Sequence, residues 1–351
     1  MHNIMESHVL EVNNKLKEAW ETLKKENPKM RIRDAAAELG VSEAQLLATQ
    51  LGREVTRLEG NWASILVDCK KLGKVMALTR NEGCVLEHKG NFQKIEIHGT
   101  EPNQIATVIG PIEQRVFFSA WRFGFAVVQD SPRGLMRSLQ FFDKSGEAVL
   151  KIYLQEKSNI DAYDELVNLY EAASQNPDLE IEAFDKPQYA AEIDLESFSK
   201  DWENMKDTHD FFGMLRKYKV SRLDAVKWIN DKWAYEVDRL SARRILEIAA
   251  AEKLPIMIFA GNKGNIQIHQ GKVRTIRQMG DWLNVMDPDF NMHLNEETIA
   301  QAFVVHKNTA DGLVSSLELF DREGEMIAQF FGLRKPGLPQ LEAWKSLIDS
   351  L

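Results

Sequence analysis

Asn81-Glu82-Gly83-Cys84-Val85-Leu86-Glu87-His88-Lys89-Gly90 returns later in the chain as Asn262-Lys263-Gly264-Asn265-Ile266-Gln267-Ile268-His269-Gln270-Gly271. Both copies read Asn-x-Gly, four residues, then His-x-Gly, at an offset of 181 (262 − 81). Asn-x-Gly is a tight-turn signal, and the apolar residues after it are strand-like. Working outward, Gly134-Leu135, Ser138-Leu139 and Phe142-Asp143-x-x-Gly146-Glu147 return as Gly312-Leu313, Ser316-Leu317 and Phe320-Asp321-x-x-Gly324-Glu325, an offset of 178 (312 − 134). Val41-Ser42 matches Val220-Ser221 at 179 (220 − 41). The offsets differ only by loop-sized amounts. A chain that repeats over this length repeats its architecture.

The first copy supplies the pattern of elements. Residues ~9–27 predict an amphipathic helix with Leu16, Ala19, Trp20 and Leu23 on one side, ended by Pro28. Ile32 to Leu47 reads as two short helices turning at Gly40, like the first helices of a helix-turn-helix. The second of these carries Glu43 and no Lys or Arg, so it is read as a packing element and not a reader of DNA. Beyond Ala63 the periodicity is that of strands: 75–79, 84–88, 92–98, 115–118, 123–128, 138–142 and 148–154. Asp143-Lys144-Ser145-Gly146 predicts a hairpin turn, and Ile160 to Ala173 a closing helix. Residues ~175–196, with Pro177 and Pro187 among acidic side chains, read as a linker. The expected fold class is α+β: a tandem duplication, each half having N-terminal helices, a large antiparallel sheet and a closing helix. The expected halves are residues 1–180 and 181–351, facing each other about a pseudo-twofold axis.

The totals narrow the function. A net charge of −9 argues against a protein that holds nucleic acid by a general positive field, and an anionic ligand must be met by local cations. With 2 Cys, Cys69 and Cys84, and no Cys-x-x-Cys, neither a disulfide framework nor a zinc ribbon is expected. The N-terminus lacks the apolar core of a secretory leader, and no apolar run has membrane-spanning length. A cytoplasmic protein without membrane insertion is expected.

The repeat also acts as an internal control. Asp207-Thr208-His209-Asp210-Phe211-Phe212-Gly213-Met214-Leu215 aligns with a first-half segment that has neither a His nor paired aromatics. Asp207 or Thr208 is positioned to cap a helix, placing His209 in its first turn. Arg222 stands where the first half has Glu43, Lys307 where it has Gln129, and Arg334 where it has Glu156; Arg115 stands opposite His293. Packing does not require this imbalance, whereas one ligand held by a pseudo-symmetric pair does. His88 and His269 occupy the same repeat position and are read as structural turn residues. His98 and His306 are secondary ligand candidates, and His293 would line the empty copy of the site.

These segments resemble the HemS-like haemin-degrading and haem-trafficking proteins of bacterial haem uptake. The resemblance rests on Asp207-Thr208-His209-x-Phe211-Phe212-Gly213-Met214-Leu215, Lys219-Val220-Ser221-Arg222, Thr79-Arg80-Asn81-Glu82, Arg115-Val116-Phe117, Phe123-Gly124-Phe125-Ala126 and Phe331-Gly332-Leu333-Arg334-Lys335-Pro336-Gly337, and it covers nearly the whole chain. It implies haem b bound in the cleft between the halves, with His209 as the iron ligand. It implies Arg115 on the opposite face, holding water or oxygen, with Phe117 packing on the porphyrin. Arg222, Lys307 and Arg334 match positions that hold haem propionates, and Phe259 and Gln329 match further pocket positions. The chain departs from the family around Ala328 and Phe330, where many relatives carry Tyr or another polar group.

The activity implied is oxygen-dependent opening of haem, catalysed through His209 and Arg115, with release of iron and electrons from an external donor. The alternative is a non-catalytic chaperone that passes haem to a separate haem oxygenase. Haem, a haem oxygenase, the inner-membrane haem transporter and a second copy of the chain are the partners this reading admits; nucleic acid is not among them.

Overall fold

The computed structural model of the protein describes residues 2–132, 134–334 and 337–351, with side chains from residue 13 onward. Lys335 and Pro336 of the motif quoted above lie outside the described residues. The fold is α+β and duplicated, and the chain divides into two compact units. Unit 1 takes the chain up to Thr79, then His88–Asp185 and Asn262–Ile266. Unit 2 takes Arg80–Glu87, Lys186–Gly261 and Gln267–Leu351. The two short pieces contain the Asn-x-Gly turns, so each unit incorporates the turn encoded in the other half of the sequence.

That exchange explains why the motif is so legible. Within unit 2, Asn81 Nδ2 donates to the carbonyls of Gly261 (3.0 Å) and Ile327 (2.8 Å), and a Cβ on Gly83 would lie 2.5 Å from Thr298 Oγ1. Within unit 1, Asn262 Nδ2 donates to Val149 O (3.0 Å), and a Cβ on Gly264 would lie 2.6 Å from Val149 Cγ1. The amide seals carbonyls that the turn would otherwise cover, and the glycine leaves room for it to sit down.

Unit 1 begins with helices His2–Glu26, Ile32–Glu38 and Glu43–Ala48. Gly40 turns between the last two with φ +67°, and Ser42 and Gln45 form a capping box. Ala44, Leu47 and Ala48 pack onto Val55, Phe123, Phe125 and Val127, so the would-be recognition helix is spent on the unit's own sheet. Strands Val55–Leu58, Trp121–Ser131, Gly134–Asp143, Ala148–Ser158 and Gly73–Arg80 lie side by side in that order, antiparallel. Glu113–Phe117, Ile105–Ile109 and Lys94–His98 form a second antiparallel run. Helix Ile160–Tyr170 closes the unit, burying Ala162, Tyr163 and Leu166. It stops short of Ala173 because Glu171 turns away to bridge Leu58. Residues 172–194 contain no helix or strand.

Unit 2 repeats the plan. Strands Ala234–Val237, Gln301–Thr309, Gly312–Phe320, Met326–Gly332 and Ile256–Gly261 run in that order, and Phe290–Asn295, Trp282–Met286 and Ile276–Met279 form the second run. One face of the larger run, with Leu317, Leu319, Ala328 and Phe330, is buried under helices Ser241–Glu252 and Glu342–Ile348. The other face, with Phe303, Val305 and Phe320, meets helices drawn from residues 195–228. His88 and His269 lie in strands and not in turns, both buried, and His269 stacks on Phe290 at 3.7 Å. Burial lowers the His269 pKa to about 4.

Gly332 shows how tightly the first face is closed. A Cβ there would lie 2.5 Å from Trp344 Cγ, and Trp344 is fully buried with Nε1 donating to Ser315 O at 2.9 Å. The indole cannot retreat without losing that bond. Gly332→Ala is therefore expected to lower the unfolding free energy by about 1–3 kcal/mol. A denaturant midpoint equal to that of the parent would refute this.

Candidate functional site

Helix Asp210–Tyr218 presents the singular histidine. Phe211 and Met214, three residues apart, are buried on Trp202, Phe303 and Phe320. That spacing turns His209, Phe212 and Gly213 outward. His209 occupies the N-cap position (φ −73°, ψ −21°) instead of the first turn, and its side chain caps nothing. Asp207 acts on the histidine itself: Oδ1 accepts from the His209 backbone N–H at 2.8 Å and lies 2.5 Å from ring Nδ1. The backbone bond, then the ring and Arg334, hold the Asp207 carboxyl below its ordinary range. An ionised carboxylate only accepts, so of the two ring nitrogens Nδ1 is the one that donates to Asp207, and Nε2 is the one that this contact leaves open. The imidazole side chain is 88% exposed. Beside it Phe212 is 53% exposed, and a Cβ on Gly213 would meet nothing within 4 Å. A directed nitrogen thus stands in the open beside one exposed aromatic ring.

Beneath the helix lies a charged cluster. Arg222 is the first residue of helix Arg222–Trp228, capped by Ser221. Its guanidinium grips Glu318 with two prongs, Nε to Oε2 and Nη2 to Oε1, both 2.7 Å. Lys307 Nζ (2.9 Å), Gln329 Nε2 (3.0 Å) and Ser316 Oγ (3.2 Å) all donate to the same Oε1. Glu318 is fully buried and Lys307 nearly so. Burial alone would raise the Glu318 pKa, but Arg222 and Lys307 hold it far below the carboxylate range. Burial brings Lys307 down to about 8 despite Glu318. The Arg222 guanidinium also sits 5.0 Å from the Phe211 ring and 5.6 Å from that of Phe212, and Lys307 Nζ lies 4.2 Å from Phe211. Through these rings the cluster touches the histidine's helix.

The structure therefore draws Arg222, Lys307 and Gln329 onto one carboxylate and connects them to the His209 helix through Phe211. Arg334 is coupled electrostatically to Asp207, and its Nε is buried without a partner among the described residues. Phe259 pairs across the sheet with Gln329 and meets Phe331 edge-on at 5.3 Å. Both rings are half-buried, on the sheet face that carries Gln329. The departures at Ala328 and Phe330 fall on the opposite, buried face, which leaves the Gln329 hydrogen bond intact. Arg115 and Phe117 belong to unit 1. They share the less buried face of strand Glu113–Phe117, with Arg115 Nη1 donating to Gln114 O (3.0 Å) and Nη2 to Glu113 (3.3 Å).

Glu318 is the member that the sequence reading missed. Its repeat counterpart is Gln140, so the signal was present. A search for gained cations passes over a gained anion. Its presence revises the argument from imbalance, because Arg222 and Lys307 have a structural task in neutralising Glu318. Of the secondary candidates, His306 is partly buried with Nδ1 2.9 Å from Ser315 Oγ, and His293 has Nδ1 2.6 Å from Asn284 Oδ1. Among the described residues no cluster of three or more His, Cys, Asp or Glu could hold a bare metal ion. The donor set fits one axial ligand to a metal that arrives already chelated in a flat, apolar, acidic molecule.

Fold and sequence together define a duplicated α+β protein whose second unit carries an exposed imidazole above a buried charged cluster. A haemin-degrading HemS.ChuX domain model matches residues 40–170 and again residues 219–351, and the chain belongs to that family. It is 33% identical to the hemin transport protein HemS of Yersinia enterocolitica, over 93% of this chain and 94% of that one. It is 32% identical to the hemin transport protein HmuS of Yersinia pestis, over 97% and 98%. Among solved structures it matches holo-PhuS, a heme-binding protein from Pseudomonas aeruginosa, with a TM-score of 0.93 and 40% identity over 96% of this chain and 98% of that one. It matches ChuS, described as an E. coli heme oxygenase, with a TM-score of 0.87 and 32% identity over 96% and 99%. No helix among the described residues is long and apolar enough to cross a membrane.

Proposed function

We propose that the protein binds haem through Nε2 of His209 and degrades it oxidatively in the cytoplasm, releasing iron. The observation that carries this is His209 itself: Asp207 holds its ring through Nδ1, and the exposed imidazole stands beside the exposed ring of Phe212. Family membership supplies the ligand, since relatives are named for hemin transport, heme binding and heme oxygenase activity. Bound haem supplies an iron centre able to take up oxygen, given an external electron donor. Asp207 orients the imidazole and strengthens its donor nitrogen. Phe212 and the open surface at Gly213 receive the apolar macrocycle. Arg222, Lys307 and Arg334 answer its acidic edge, and Phe259, Phe331 and Gln329 wall the approach. Arg115 and Phe117, which share one face of their strand, are proposed as further haem contacts on the strength of their sequence match.

A second reading, delivery of intact haem to a haem oxygenase, is favoured by the exposure of His209, which leaves the ligand open to a partner. Single-turnover spectroscopy separates the two. The haem complex is mixed with reductant and oxygen, with and without catalase. Degradation predicts loss of the Soret band and release of iron and a linear tetrapyrrole in both samples. Bleaching confined to the catalase-free sample would eliminate the enzyme. Transfer to an added haem oxygenase faster than free dissociation would establish the chaperone.

A further inference from the structure

We propose that Glu318 is a positioning residue that aims Arg222, Lys307 and Gln329 so that their surplus positive charge is offered to one carboxylate of the ligand. The proposal rests on the haem reading above and deepens it.

The same place is built differently in the two units. In unit 1 the first residue of the equivalent helix is Glu43, and its buried carboxylate pairs with Lys151 on the sheet. In unit 2 the helix residue is Arg222 and the buried carboxylate, Glu318, is on the sheet. Gln140 stands at the position of Glu318, Gln329 at that of Lys151 and Gln129 at that of Lys307. Both units clamp the helix to the sheet with a buried ion pair, but the pair is reversed. Unit 1 does so with one cation and one anion among these four positions. Unit 2 uses two cations and one anion. The clamp therefore accounts for only one of the two unit 2 cations.

The geometry indicates where the surplus is directed. Oε1 of Glu318 is approached by four donors at 2.7–3.2 Å, while Oε2 receives only Arg222 Nε. Four donors are more than one carboxylate oxygen readily serves. The rest of the Arg222 guanidinium has no acceptor among the described residues, and its side chain is 16% exposed. A second carboxylate on the solvent side of that guanidinium would take those N–H groups and neutralise the cluster. Glu318 keeps the fork turned outward and keeps Lys307 charged despite burial. The charged groups facing Lys307 are Glu318 on the neighbouring strand and Arg222 on the helix; helix Asp210–Tyr218 contributes only the Phe211 ring.

Titrating the full chain with haemin and with haemin dimethyl ester, whose carboxylates are blocked, isolates the charge term. The parent is expected to prefer haemin. Glu318→Gln is expected to cut that preference by about tenfold or more, the scale of one charge-assisted bond, while affinity for the ester changes little. A second variant, Arg222→Glu with Lys307→Gln, Glu318→Gln and Gln329→Lys, installs the clamp that already folds in unit 1. It is expected to fold and to lose the preference likewise. Equal losses for both probes in either folded variant would reduce Glu318 to a structural clamp. A stronger preference for haemin in Glu318→Gln would mean that Glu318 competes with the ligand. Either result overturns the proposal. A parent that binds neither probe overturns the haem reading itself, and the proposal with it.

Discussion

Replacing His209 by alanine is expected to remove the proposed iron ligand and to weaken haemin binding by on the order of 100-fold, the upper end of effects seen when a metal's supporting shell is disturbed. Absorption and electron paramagnetic resonance should report a changed spin and coordination state. Exogenous imidazole should restore the parent spectrum, because the position vacated by the side chain is open to solvent. Asp207→Asn is a milder probe. It keeps the hydrogen-bond geometry but withdraws the charge behind Nδ1, so the complex should form with a shifted spectrum. Takeover by His306 or His293 is disfavoured by where they sit, and exposed His98 is tested by adding His98→Ala to the variant. His306 is partly buried on Tyr235 and bound to Ser315, and His293 is bound to Asn284. An unchanged spectrum and affinity in His209→Ala would sink the assignment.

The duplication was legible because its markers are residues that physics makes hard to replace. Gly83 and Gly264 have no room for a Cβ, and Asn81 and Asn262 donate to carbonyls of the strands their turns cover. The exchange of those turns was not legible. Periodicity reports which face of a strand is apolar, but not which neighbour it pairs with. The same limit applies to the site. His209, Arg222 and Lys307 stand out in a repeat comparison because they are odd residues in an even pattern, whereas Gln329 is marked only by the family resemblance. The convergence of Arg222, Lys307 and Gln329 on Glu318 depends on strand register: Glu318 lies opposite Gln329 on one side and Phe303 on the other. The capping role expected of Asp207 or Thr208 differed for a local reason. The Asp207 carboxylate is taken by the His209 backbone and ring, which shifts the helix start to Asp210.

Arg222→Ala is expected to be the most destabilising single change in the cluster, costing about 3–5 kcal/mol at neutral pH. The loss comes less from the missing bonds than from the carboxylate left behind. Glu318 is fully buried, and its two-pronged partner would be gone, leaving Lys307, Gln329 and Ser316 on one oxygen and nothing on the other. Arg222→Lys should recover only part of the loss, because an ammonium cannot span both oxygens or lie flat on Phe211 and Phe212. The pH dependence has a definite sign. Glu318 has a depressed folded pKa, so its contribution is present above the ordinary value of 4.5 and is lost only as pH falls through the much lower folded value. Without Arg222 the depression shrinks, because burial, which raises the pKa, is opposed by Lys307 alone. The variant's carboxylate therefore takes up a proton at higher pH than the parent's, which relieves the buried charge. The stability gap between variant and parent should consequently be widest near pH 7 and narrow on acidification. Guanidinium midpoints for both proteins at pH 7 and pH 5 measure it. A gap below about 1 kcal/mol at pH 7, the range of an exposed pair, would mean that Glu318 does not depend on Arg222. A gap that widens toward pH 5 would mean that the charge on Glu318 is not what Arg222 offsets.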